Sequence, residues 1–349
     1  MNNHFKYLDG FRGLAALMVF LGHSSWNGQV YGINFTGWGK FGVILFFLLS
    51  AFLLSNQLLS SQKGNFFGKK YLANWYLKRF LRIYPLYTLY LITSVLTSYY
   101  LVFILPEGWG QIGLPLNINL QEFYRMLFLL ESQSILWSIV VEFKFYIILP
   151  LFFYLLSFIK NKKFLIFFII FLVLLINYNT QYKPEINQID LTVYLPVFLI
   201  GILAAILYEY KNNIQSKKIY LILVNIFGII ASIFLLLSIP NFVLFFTENI
   251  NDFNKLILLQ SIIGFFLILY LVIFQNTIIC NFFDLKILRS IGEISYGFYL
   301  IHEPILRVAI WYMDKNIYYG IVTFVITFTL SKISYHVFER YFIKIGQKN

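Results

Sequence analysis

Ten stretches of this chain are apolar over a length that spans a membrane, and no other feature constrains the fold as tightly. They fall near 9–27, 38–59, 83–105, 134–158, 164–178, 191–209, 219–238, 254–275, 288–312 and 317–339. A hydrocarbon core is crossed by about 20 apolar residues of helix, and the chain must satisfy its own backbone hydrogen bonds inside it. The expected fold class is therefore all-α: a polytopic membrane helix bundle of about ten transmembrane helices. The fifth run is short and the first contains Arg12, so nine is the fallback count. Charged residues are 12% of the 349 and hydrophobic ones 60%, whereas an ordinary soluble domain is about 25% charged. A soluble enzyme, a disordered chain and a secreted disulfide scaffold are excluded.

The net charge of +12 would suggest nucleic acid in a soluble protein. In a bilayer protein it reads as the bias of Lys and Arg toward cytoplasmic loops. With the N-terminus inside, nineteen Lys and Arg fall on the cytoplasmic side and four on the other, so both termini are expected to be cytoplasmic and no nucleic-acid partner is expected. The first run carries Asp9 and Arg12 and lacks a small-residue cleavage site, so it reads as an uncleaved span. The lone Cys280 excludes an internal disulfide and a cysteine metal cluster. The longest outer loop, about 106–133, opens with PEGWGQIGLP and ends in an interfacial helix near 123–130. No internal repeat is seen, and no appended extracytoplasmic module is expected. Residues 1–349 read as one integral-membrane domain.

Ionisable residues inside such runs are costly, by about 2.5–3.5 kcal/mol even on a lenient scale, and so are informative. Arg12 and His23 are eleven residues apart, close to three turns, which puts them on one helix face ~16 Å apart. Either alone reads as a snorkelling or packed side chain; together they suggest a polar track. His302 lies fourteen residues into the ninth run, as His23 does into the first, and both runs start on the cytoplasmic side, so the two imidazoles are expected at a shared depth of ~21 Å. The fourth run, LWSIVVEFKFYIILP, brings Trp137, Ser138 and Glu142 toward the same half, and Glu303 follows His302. Two imidazoles and a carboxylate suit general acid–base chemistry, with a structural polar cluster as the plain alternative. Lys144 is two residues from Glu142 and faces elsewhere. The segment KKYLANWYLKRFLRIYP is densely cationic. Arg79 and Arg82 share a helix face there and suit a phosphorylated cytoplasmic ligand, beyond plain anchoring. Lys40 reads as snorkelling and His336, Glu339 and Arg340 as anchoring, while Gly37, Gly39 and Gly42 allow close helix approach.

Five blocks in order resemble acyltransferase family 3, the integral membrane acyltransferases of sugars and other hydroxyl acceptors. They are Arg12–x10–His23; GVILFFLLSAFLL at 42–54; KRFLRIYP with Arg79, Arg82 and Pro85; LWSIVVEFKFY with Trp137, Ser138, Glu142 and Tyr146; and IGEISYGFYLIHEP. Departures from the family pattern are Ala51 for a usual glycine, Ile44 for a frequent polar residue, Phe143 and Lys144 for a Glu-Gln pair, and Tyr341 for a proline.

The resemblance implies O-acyl transfer in a bacterial cytoplasmic membrane. The donor would be cytoplasmic acyl-CoA, most often acetyl-CoA, with no bound cofactor or metal, and the acceptor a hydroxyl of a cell-envelope or exported glycan. Arg79, Arg82 and Arg12 would hold the CoA phosphates. His23 is the expected base, and an acyl-histidine intermediate is equally compatible. Glu142 would orient it or hold acceptor hydroxyls. His302, Tyr296 and Tyr299 would shape the pocket or donate to the oxyanion, and Trp137, Ser138 and Glu303 would line it. The rival reading is a carrier or exporter of a lipid-linked sugar or small anion.

Overall fold

A computed structural model describes residues 5–24, 35, 37–61, 68–104, 119–181, 189–214, 218–238, 256–313 and 317–348. Among them the chain is all-helical, with no strand. In order the helices are α1 (Lys6–Ser24), α2 (Trp38–Ser61), α3 (Lys69–Ile104), α4 (Leu120–Leu127), α5 (Trp137–Ser157), α6 (Lys162–Gln181), α7 (Leu191–Ile214), α8 (Lys218–Leu237), α9 (Ile257–Ile273), α10 (Ile278–Phe283), α11 (Lys286–Glu293), α12 (Ser295–Tyr312), α13 (Ile317–Ser334) and α14 (Arg340–Lys348). A 3-10 turn, Ser134–Leu136, leads into α5, and a π-helical turn, Tyr335–Glu339, joins α13 to α14.

Over the described residues each expected run coincides with helix, the ninth as two helices. Among the described residues, seven helices are long and apolar enough to cross a membrane, including Lys69–Thr97, Ser134–Ser157 and Ile317–Gln347. The chain is a polytopic membrane protein. The remaining runs correspond to α9, a shorter apolar helix of 17 residues, and to α1 and α12, of 19 and 18 residues, which carry the ionisable groups. The fifth run is a full 20-residue helix, α6. The helix expected near 123–130 is α4, which begins and ends three residues earlier, at Leu120–Leu127. It starts at a capping box in which Asn119 Oδ1 accepts from the Glu122 amide (2.9 Å) and the Asn119 amide donates to Glu122 Oε2 (2.8 Å). The PEGWGQIGLP stretch lies outside the described residues.

The ninth run departs from expectation. It is two helices, α11 and α12, separated at Ile294 with φ −95° and ψ 10°. The physical reason lies at Gly292, which packs on the backbone of α1 at Asp9 and Gly13; in turn a methyl at Gly13 would collide with the Leu288 carbonyl. α11 is thus locked to α1 before α12 begins. The shared depth of His23 and His302 rested on one unbroken helix from 288, and that count no longer holds.

The described chain forms two compact units. The first comprises Met1–Phe67, Ile148–Ile186 and Asp190–Glu293. It is held by α1 against α2 and α11, and by α2 against α7. Its aromatic core includes Phe47, with Phe198 at 4.9 Å and Tyr194 at 5.5 Å between ring centres. Gly42 does allow close approach, since a Cβ there would sit 2.5 Å from the Ala15 carbonyl oxygen. Ala51, where the family usually has glycine, fits because its partner on α7 is Gly201; a Cβ at 201 would come within 2.6 Å of the Ala51 methyl. At the margin of this unit, Lys6 Nζ donates to Asp284 Oδ2 (2.8 Å) and Arg289 Nη1 donates to Oδ1 (3.1 Å). The hydrogen bond from Lys6 holds the Asp284 carboxyl below its ordinary range, and the same bond raises Lys6.

The second unit comprises Gly68–Ile147, Asn187–Ile189 and Ile294–Asn349. Here α3 packs on α14 and α12 on α13. The cationic segment before Pro85 is helical, as the shared face of Arg79 and Arg82 requires. It is the opening of α3, continuous through Pro85.

Candidate active site

On the first unit, α1 presents Arg12 and His23, both half-buried. Arg12 Nη1 pairs with Asp9 at 3.6 Å across one turn. His23 lies in the last turn, against α2. A Cβ on Gly39 would lie 3.3 Å from His23 Nε2 and 3.5 Å from Cδ2, so a side chain at 39 would press on the imidazole. The absence of one at Gly39 is what lets His23 lie flush on α2.

On the second unit, α5 carries Ser138, Glu142 and Tyr146 at i, i+4, i+8, one continuous stripe. Ser138 Oγ donates to Tyr299 Oη (2.8 Å), and Tyr299 Oη donates to the Ile135 carbonyl (2.7 Å). Trp137 opens α5, half-buried. Tyr146 Oη donates to Glu142 Oε1 at 2.5 Å. Arg79, from α3, lies within electrostatic reach of Glu142 and Tyr146, with its guanidinium over the Trp75 ring at 6.0 Å. Arg82, one turn on, is exposed. Tyr296 Oη donates to the Ile83 carbonyl (2.8 Å), so both tyrosine hydroxyl protons sit on backbone carbonyls.

His302 is fully buried. Its Nδ1 lies 2.6 Å from the Tyr299 carbonyl. A carbonyl only accepts, which assigns the proton to Nδ1 in the neutral ring and the lone pair to Nε2.

Two residues gain roles that the sequence did not reveal. Glu339, expected to anchor, is only 6% exposed. The π-helical turn rotates it inward, toward the space left by Gly297, where a Cβ would lie 2.6 Å from its Oε1. Ser334 Oγ donates to it (3.2 Å), and Arg82 is within electrostatic reach. Arg307, unremarked in the sequence, donates from Nε (2.9 Å) and Nη2 (2.5 Å) to Glu303 Oε1. Its signal was present as an i,i+4 acid–base pair inside an apolar run.

Thus the second unit holds two ionisable groupings at different points along α12. Near Tyr296 are Glu142, Glu339, Arg79 and Arg82; near Glu303 are Arg307 and Ser134. Seven residues, ~10 Å of helix, separate Tyr296 from Glu303, and His302 lies between. Lys144 takes no part in the first grouping, because its Nζ donates to the Ile189 carbonyl (2.8 Å).

The family model of an acyltransferase domain matches residues 5–336, a range that holds every residue of both groupings except Glu339. The chain belongs to acyltransferase family 3. It is similar to the peptidoglycan O-acetyltransferase OatA of Listeria monocytogenes, 26% identical over 371 residues, covering 95% of this chain and 54% of that protein. It is also similar to the O-acetyltransferase OatA of Staphylococcus aureus, 26% identical over 374 residues, covering 98% of this chain and 57% of that one. The chain spans about half the length of the curated relatives it matches. No solved structure matches it.

Proposed function

We propose that the chain is an O-acyltransferase of the bacterial cytoplasmic membrane, with about ten spans and both termini cytoplasmic. It moves an acetyl group from cytoplasmic acetyl-CoA to a hydroxyl of an exported or cell-envelope glycan, of which peptidoglycan is the first candidate from the names of the relatives. The observation that carries this reading is the family match across residues 5–336.

Each step is assigned to residue types whose chemistry suits it. The α3 end of the second unit, with Arg79 and exposed Arg82, provides guanidinium groups for the CoA phosphates, to which Arg12 adds a third. A thioester needs no metal to react, only a nucleophile and stabilisation of the oxyanion. His23 takes the proton of the acceptor hydroxyl as its oxygen attacks the acetyl carbon. The C–S bond breaks as the C–O bond forms, and the proton passes from His23 to the departing CoA thiolate. His302, with its lone pair on Nε2, and the Glu142–Tyr146 pair line the acceptor path. Because the Tyr296 and Tyr299 protons are engaged by Ile83 and Ile135, we assign these tyrosines to shaping the pocket rather than to the oxyanion.

The test supplies radiolabelled acetyl-CoA to inverted membrane vesicles bearing the chain or His23→Ala, and follows label into glycan fractions. Label that falls ~10²–10⁴-fold in the variant supports the reading. No label above empty vesicles, with acceptors present and other acyl-CoAs tried, returns the chain to the carrier class. Label undiminished in His23→Ala keeps the enzyme and removes the base.

A further inference from the structure

The turn of α12 after His302 carries an arrangement that the reaction above does not require. Glu303 is 1% exposed, yet its two oxygens are treated unequally. Oε1 accepts from Arg307 Nε (2.9 Å), from Arg307 Nη2 (2.5 Å) and from Ser134 Oγ. Oε2 is buried and has no hydrogen-bond partner among the described residues. Arg307 Nη2 also donates to Ser134 Oγ (3.1 Å), which closes a three-membered network. Ser134 itself has φ +47°, a left-handed conformation that a serine rarely adopts, as does Leu129 five residues earlier with φ +60°. The network thus holds a strained backbone position as well as a carboxylate.

A buried carboxylate is stable when its charge is matched and its lone pairs are used. Arg307 supplies the charge, but every donor converges on one oxygen. What complements the other oxygen follows from this. A further cation is not called for, because Arg307 already balances Glu303. An anion is repelled by the carboxylate. A neutral donor, an O–H or amide N–H, fits the site, since an ionised carboxylate only accepts. Acetamido sugars present both.

We propose that Glu303 Oε2 is a recognition point for a sugar hydroxyl or acetamido N–H of the acceptor, and that Arg307 and Ser134 are positioning residues that fix its direction. This rests on the glycan-acceptor reading and adds to it the atom that selects the sugar. The alternative is a purely structural ion pair.

The test uses the full chain in lipid nanodiscs without acetyl-CoA. Binding of a soluble peptidoglycan fragment, a tetrasaccharide of alternating N-acetylglucosamine and N-acetylmuramic acid, is measured by thermophoresis. Glu303→Gln places an amide where only an acceptor belongs and is expected to weaken binding about 10-fold. Arg307→Met is expected to do the same, with partial rescue in Arg307→Lys, which keeps the charge but not the fork. Ser134→Ala leaves both charges in place and is expected to weaken binding ~3-fold, so it reads the same point should Glu303→Gln fail to fold. In the transfer assay Glu303→Gln is expected to raise KM for the glycan with kcat held. Binding unchanged in Glu303→Gln or Ser134→Ala, or no binding of the fragment by the wild-type chain, overturns the proposal. Glu303-dependent binding without any acetyl transfer retains it and removes the enzyme reading; transfer with glycan KM unmoved in Glu303→Gln does the reverse.

Discussion

The two units are held together by different physics. In the first, helices meet backbone to backbone. Gly13 and Gly292 bring α1 and α11 so close that no side chain fits between them, and Gly201 makes room for Ala51. In the second, tyrosine hydroxyls, carboxylates and guanidinium groups bridge between helices. Tyr84 Oη and Tyr87 Oη donate to the Leu127 and Met126 carbonyls (2.8 and 2.7 Å), Tyr296 reaches Ile83 and Tyr319 reaches Leu306 (3.0 Å). In lipid, where burial of apolar surface does not distinguish helix–helix from helix–lipid contact, close packing and interhelical hydrogen bonds are the two available adhesives. The glycine contacts of the first unit exemplify one and the tyrosine bonds of the second the other. The lesson is that the first unit tolerates no added volume at its contacts, whereas the second tolerates volume but not loss of polar atoms.

Adding a methyl separates them most sharply. Gly13→Ala or Gly292→Ala drives a Cβ into a backbone carbonyl that cannot step aside, so the helices must part. Overpacking typically costs about 1–3 kcal/mol, occasionally more, and a backbone collision belongs at the upper end. The thermal midpoint in detergent should drop steeply. Gly297→Ala in the second unit meets only the end of the Glu339 side chain, which can shift, and should lower the midpoint far less. Equal losses at both sites would erase the distinction.

Removing a hydroxyl should work the other way. Tyr296→Phe and Tyr87→Phe each remove an interhelical hydrogen bond to a backbone carbonyl and are expected to cost about 0.5–1.5 kcal/mol apiece, as read from unfolding in denaturant. The α1–α11 contact is made instead through Gly13 and Gly292, where shape does the holding.

The smallest effect is electrostatic and lies at the edge of the first unit. Asp284 has its carboxyl lowered by the bond from Lys6, so its contribution is present above the ordinary aspartate value of 3.8 and is lost as pH falls through the lowered value. Lys6 is raised; its contribution is complete below the ordinary lysine value and disappears only as pH climbs through the raised one. Asp284→Asn should therefore lower stability slightly at neutral pH and flatten the acid limb, the two curves meeting below the lowered Asp284 value. Because the pair is exposed, the difference should shrink as salt is added. An unaltered acid limb in the variant would assign the acid loss to other carboxylates.

How much of this was legible beforehand follows the same division. The helical runs declare themselves because a long apolar segment has one way to bury its backbone in lipid. Ala51 was visible as a departure, but its tolerance depends on Gly201, 150 positions on, and no local rule links the two. Glu142 was recognised as a polar group in an apolar run. Its company of Tyr146 and Arg79 was half legible, the tyrosine through i,i+4 spacing and the arginine not at all, since α3 and α5 are joined by a long intervening segment. Arg307 stood four residues from Glu303 and passed unnoticed, although that spacing is a helical contact.

By itself, then, the sequence determined the solvent this chain lives in, the helical class, and the order of its motif residues, because periodicity and transfer cost are local quantities summed along the chain. Tertiary structure alone decided where helices break and which polar groups share a neighbourhood. The split at Ile294 is set by Gly292 docking on α1, and the inward turn of Glu339 is set by a π-helical step and the missing side chain at Gly297. Both depend on the fit between surfaces far apart in the chain, and steric fit is a property of pairs that no single segment carries.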